Sequence, residues 1–117
     1  MTKKLTRTFD QFDVVAVAYP FTARSQMKRP ALVLSKAHGF NVRIGYSVMA
    51  MITSGKNPPW PLDVEIKNLE AAGLPASSVV RMKLFTLDHR LVVKRLGHLS
   101  SDDSKYVLVS FLKLLDL

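Results

Sequence analysis

Ala18-Tyr19-Pro20-Phe21-Thr22-Ala23-Arg24-Ser25-Gln26-Met27-Lys28-Arg29-Pro30-Ala31-Leu32-Val33-Leu34-Ser35 reads as strand end, loop, strand start. The apolar run before it stops at Pro20, and a second run begins after Pro30. Between them lie three cations, Arg24, Lys28 and Arg29, and no acid. A loop held between two buried strands presents a charged group from a rigid base. Pro30 biases Arg29 toward extended backbone, which limits where its side chain can travel.

Working outward, residues 12–19 carry valine and alanine without polar alternation, as a strand buried on both faces does. Residues 31–34 form the second strand. Gly39, Asn41 and Gly45 mark residues 36–45 as turns. Residues 46–53 give a third strand, closed by the breakers Gly55, Asn57, Pro58 and Pro59. Residues 60–66 alternate weakly through Leu62, Val64 and Ile66, as a half-exposed edge strand would. Residues 67–73 suit one helical turn ended by Gly73. Residues 77–87 and 91–96 are two more strands around an Asp88-His89-Arg90 turn. Ser100 with Asp103 opens a helix, and Val107, Leu108, Phe111, Leu112 and Leu115 form an apolar stripe that should pack on the sheet. Short strands and a terminal helix predict a mainly β fold: a small antiparallel barrel with an accessory helix.

The chain has 117 residues, which suits a single domain over 1–117, with residues 1–11 expected to be flexible. A hydrophobic content of 48% against 22% charged residues excludes a disordered chain. Seventeen Lys and Arg against nine Asp and Glu leave a net charge of +8, which points to a polyanionic partner such as nucleic acid or an acidic protein. With no cysteine, disulfide frameworks, thiolate zinc sites and cysteine nucleophiles drop out. No apolar run is long enough to span a membrane and the opening residues lack a secretory apolar core, so a cytoplasmic protein is expected.

His38, His89 and His98 sit in separate turns without ligand spacing, so they read as surface or loop histidines and no metal site is expected. No phosphate-binding glycine loop or nucleophile elbow is present. The basic residues carry more information: Arg24, Lys28 and Arg29 in the first loop, Lys56 in the second, Arg81 and Lys83 on a strand. Clustered at one end of a barrel, they would present several donors to a phosphodiester. Phe21, Tyr46 and Trp60 are candidate stacking surfaces, though core or barrel-rim packing is the stronger reading for each.

An ordered set of pieces resembles the MazF/PemK toxin family: Phe12-Asp13-Val14-Val15 with Pro20-Phe21-Thr22, Lys28-Arg29-Pro30-Ala31-Leu32-Val33-Leu34-Ser35, Ile52-Thr53-Ser54, Ser78-Val79-Val80-Arg81, Lys83-Leu84-Phe85-Thr86-Leu87-Asp88, and Leu96-Gly97-His98-Leu99-Ser100. The resemblance implies an SH3-like antiparallel barrel with a C-terminal helix, acting as a homodimer. It implies a bacterial, cytoplasmic, metal-independent endoribonuclease that needs no cofactor, cuts single-stranded RNA and is blocked by a cognate antitoxin protein. It places the catalytic arginine on Arg29 and the catalytic hydroxyl on Thr53. Arg24, Ser25, Gln26, Lys28, Ser54, Lys56 and Arg81 are then the RNA-binding candidates. The first loop lacks the acid that some members carry, so the general base has no assigned residue; Arg29 as acid or as both acid and base, and Asp88 or His89 from across the dimer, are the open options. Two alternatives stay open: a same-fold protein-binding poison of the gyrase-inhibitor type, and an RNA-binding module without catalysis.

Overall fold

The computed structural model describes residues 8–18 and 28–117. Six strands form one antiparallel sheet: β1 (Asp13–Ala18), β2 (Lys28–Val33), β3 (Tyr46–Ser54), β4 (Val64–Glu65), β5 (Ser78–Asp88) and β6 (Val92–His98). The order across the sheet is β4-β5-β3-β2-β1-β6. Three helices complete the fold: α1 (Val42–Ile44), α2 (Leu69–Ala72) and α3 (Ser101–Leu115).

One turn shows that the sheet is rolled. β5 and β6 are joined by only His89–Leu91, yet they stand second and last in the order. On a flat sheet they would lie roughly 19 Å apart, at about 4.8 Å per strand. Four residue steps span at most about 14 Å. The sheet therefore curls into a barrel-like roll, as the strand pattern predicts, but the ladder is not closed by hydrogen bonds. α2 and α3 complete the roll, α2 against β6 and α3 against β4. A Cβ on Gly97 would run into Ala71 O and lie 2.6 Å from Ala72 C, so only glycine lets β6 approach α2. Gly73 ends α2 with φ of +71° and sits against Leu96.

Each sheet face carries a core. Val14, Leu32, Ala50, Ile52 and Val80 pack with Ala72, Leu99 and Val107 on one side. Val15, Val17, Ala31, Val33, Met49 and Leu87 pack with Phe9 and Val92 on the other. This explains the unalternated valines of β1, since both faces are buried.

Three expectations are revised. Phe9 is buried, and Asp10 accepts hydrogen bonds from Ala37 N at 2.8 Å and Gln11 N at 2.7 Å, so residues 9–11 are part of the packed structure. The apolar stripe of α3 is only partly used: Val107 is buried and Phe111 half-buried, while Leu108, Leu112 and Leu115 face outward. The helix instead turns Asp103 inward, where its carboxylate accepts from Lys67 N and Asn68 N at 2.9–3.2 Å and ties α3 to the start of α2. Finally, of residues 60–66 only β4 pairs; Leu62, at φ +69°, turns the segment before it.

Gly97→Ala should force α2 away from β6 and lower stability by about 1–3 kcal/mol, the usual cost of overpacking, read from urea denaturation.

Candidate functional site

The site is set by register. β2 and β3 pair Val33 with Met49, Leu32 with Ala50 and Ala31 with Met51. Side chains alternate along each strand, so residues 29, 31 and 33 share a face with 49, 51 and 53. The paired ladder ends at Ala31 and Met51; two residues beyond it on each strand stand Arg29 and Thr53, which line the same cleft. Deeper along this face lies the apolar core; here, at the strand ends, it gives way to polar groups.

Arg29, Pro30, Ile52, Thr53, Ser54 and Asn57, with residues 74–78, line a cleft of about 390 Å³ at these strand ends. Arg29 and Pro30 are half-buried, Lys28 is exposed and paired with Ala18, and Thr53 is 9% exposed. The Thr53 hydroxyl accepts from Asn57 Nδ2 at 2.5 Å. A hydroxyl that accepts keeps its own proton to donate. Ser54 and Lys56 are exposed beside it, with Ser54 Oγ accepting from Lys56 N at 3.1 Å. Arg24, Ser25 and Gln26, with Phe21, lie outside the described residues.

Arg81 has another task. It is 9% exposed and makes a forked pair with Asp63, Nε to Oδ1 at 3.2 Å and Nη2 to Oδ2 at 3.0 Å. Nη2 also donates to Pro58 O at 2.8 Å. The Arg81 guanidinium lies 4.9 Å from the Trp60 ring centroid. Expected as an open phosphate donor, Arg81 instead fastens the loop after Thr53 to β5. Its partner is 18 residues away, out of reach of local sequence reading. Burial pushes the Asp63 carboxyl up, but hydrogen bonds from Arg81 and Trp60 N, with the Arg81 charge, outweigh it and hold the carboxyl below its usual range.

His89 is buried, with Nε2 2.7 Å from Ser47 Oγ and Phe9 edge-on at 5.2 Å. It is therefore not the surface histidine expected. Ser47 is six residues from Thr53 along β3, about 20 Å at ~3.3 Å per residue, so within one subunit His89 lies at the opposite end of the sheet. Asp88 is there too, and hydrogen bonds from the Arg90 side chain and backbone bring its carboxyl down to about 2. A carboxylate so weakly basic is a poor proton acceptor at neutral pH. His38 and His98 are exposed, and His98 Nδ1 lies 2.9 Å from Asp13 Oδ1.

A larger depression, about 790 Å³, lies between the starts of α2 and α3. Its buried carboxylate, Asp103, is committed to backbone N–H groups, so the smaller cleft is the better candidate for chemistry.

Solved structures share this architecture. MazF from Deinococcus radiodurans is 24% identical, with a TM-score of 0.74 over 95% of this chain and 99% of that one. The MazE–MazF complex from the same organism gives 22% and 0.74 over 95% and 98%. A mycobacterial endoribonuclease in complex with its cognate antitoxin gives 15% and 0.73 over 92% and 95%. At these identities the likeness establishes the fold, a MazF-type rolled sheet. No curated protein matches the chain by sequence. The family model for PemK-like, MazF-like toxins of type II toxin–antitoxin systems matches residues 10–115, and the chain belongs to that family.

Asp63→Ala and Arg81→Ala should each lower the melting temperature, and the double variant should fall short of the sum of the two losses. Asp63 has a depressed carboxyl, so its contribution is present above about pH 4 and fades as pH falls through its folded value. The gap between wild type and Asp63→Ala should narrow accordingly on acidification.

Proposed function

We propose that the protein is an endoribonuclease toxin that cuts single-stranded RNA without a metal ion, and that Arg29 and Thr53 act on the scissile phosphate. The observation that carries this reading is their placement: a cation and a proton-bearing hydroxyl on neighbouring strands, lining one cleft, in a chain of net charge +8.

The chemistry follows from those groups. The ribose 2′-oxygen attacks phosphorus, the bond to the 5′-oxygen breaks, and the products are a 2′,3′-cyclic phosphate and a 5′-OH. Charge grows on the phosphorane oxygens, where the Arg29 fork and the Thr53 hydroxyl supply donors. Asn57 donates to the Thr53 oxygen, which leaves the Thr53 proton for the phosphate. The described residues lining the cleft include neither carboxylate nor imidazole, and residues 19–29 contain none. Within one subunit, solvent takes the 2′-OH proton and returns one to the departing 5′-oxygen, while Arg29 and Thr53 stabilise the phosphorane. Lys28, Ser54 and Lys56 are exposed around the cleft and bind the flanking backbone, with Arg24, Ser25 and Gln26 assigned to the same task from sequence alone. Arg81 is assigned to loop bracing.

The partners follow the family. The related MazF and mycobacterial enzymes are found with MazE or a cognate antitoxin, and we assign this chain an antitoxin protein and a homodimeric state. Among the described residues no helix is long and apolar enough to cross a membrane. RNA as substrate places the protein in the cytoplasm.

Purified protein should cut long RNA in EDTA and leave 2′,3′-cyclic phosphate ends. Arg29→Ala should stay folded by circular dichroism while losing about 10²–10³ in rate. RNA left intact by wild type across several long substrates would contradict the assignment.

A further inference from the structure

The loop that follows Thr53 carries a feature that phosphate chemistry does not require. Trp60 is 44% exposed, although a large aromatic side chain normally gains by burial. It is also firmly seated. Its backbone N–H donates to Asp63 Oδ2 at 2.9 Å, and its backbone carbonyl accepts from Asp63 N at 3.3 Å. Its ring rests against the Arg81 guanidinium, itself fixed by Asp63 and Pro58. Lys83 Nζ lies 5.9 Å from the ring centroid. Pro58, Pro59 and Pro61 restrict the backbone on both sides.

The sheet sets the distance to the cleft. β3 and β5 pair Met51 with Arg81 and Thr53 with Val79, which makes Thr53 and Arg81 diagonal neighbours, about 7–8 Å apart. A bulge between Ala50 and Met51 gives β5 extra residues at this point, so Lys83 also reaches the ring. The indole thus packs on a residue diagonal to Thr53, in the loop that leaves the same strand end.

We propose that Trp60 is the stacking platform for an unpaired nucleobase flanking the scissile phosphate, with Lys83 holding the adjacent phosphate. The proposal rests on the reading of the protein as an RNA-cleaving enzyme and adds a recognition residue to it. A preorganised ring binds a base without first being ordered, and a π-face accepts any base, so the platform contributes affinity and positions the strand. Sequence preference then arises elsewhere in the groove.

Trp60 is the only tryptophan, so its fluorescence reports on this position in the unaltered protein. The probe is a set of short, single-stranded 2′-O-methyl oligoribonucleotides of mixed sequence, end-labelled for anisotropy, with a matched set carrying abasic positions. The expected result is quenching of Trp60 emission that saturates together with the anisotropy change and is lost with the abasic set. Trp60→Leu should bind at least about fivefold more weakly, and Trp60→Phe should recover part of the loss. Binding by anisotropy with Trp60 emission unchanged, and with Trp60→Leu equal to wild type, would overturn the platform and leave the RNA reading standing. Absence of any binding would overturn both.

Discussion

The pairing of β2 with β3 is the constraint on which the rest depends. Ala31 opposite Met51 fixes which side chains share a face, and a slip of one residue would turn the whole set over. Leu32, Ala50 and Ile52 belong to one core, and Ala31, Val33 and Met49 to the other. With both faces buried, neither strand can shift without moving apolar side chains out of their packing. Arg29 and Thr53 lie two residues past the last pair on these same strands, so the site takes its place from the hydrophobic interior.

The surrounding elements hold that strand end in place. β5 pairs along the length of β3 and delivers Arg81 next to the loop that leaves Thr53. Arg81 joins Pro58, Asp63 and Trp60, while Asn57 reaches back to the Thr53 hydroxyl. A loop that would otherwise wander becomes a fixed wall. On the far side, Gly73 and Gly97 let α2 sit against β6, and Asp103 ties α3 to α2. These contacts stand in for the hydrogen bonds that would close a barrel.

Much of this was legible in the sequence where the signal is local. The doubly buried β1, the proline after Arg29, the glycine that ends α2 and the Ser100 cap were all readable, and Ser100 Oγ does accept from Asp103 N at 3.1 Å. Arg29 and Thr53 could be singled out because each abuts a strand boundary within a recognisable family pattern. What was not legible depends on residues far apart in the chain. Arg81 resembles any strand cation until Asp63 is seen against it, and His89 resembles a turn histidine until Ser47 and Phe9 enclose it. The stripe of α3 suggested a packed helix, but the sheet offers it only the narrow contact near β4, which Val107 and Ser110 fill. Periodicity reports that an apolar face exists; the area available to cover it is a property of the whole fold.

The central claim is that Arg29 and Thr53, at adjoining ends of β2 and β3, act on the same phosphate. A double-mutant cycle on single-turnover RNA cleavage, with Arg29→Ala, Thr53→Val and the double variant, tests it most directly. Groups that stabilise one transition state as a unit are not additive, so the double variant should lose little more rate than Arg29→Ala alone. Losses that multiply independently, with all three variants folded, would contradict the account.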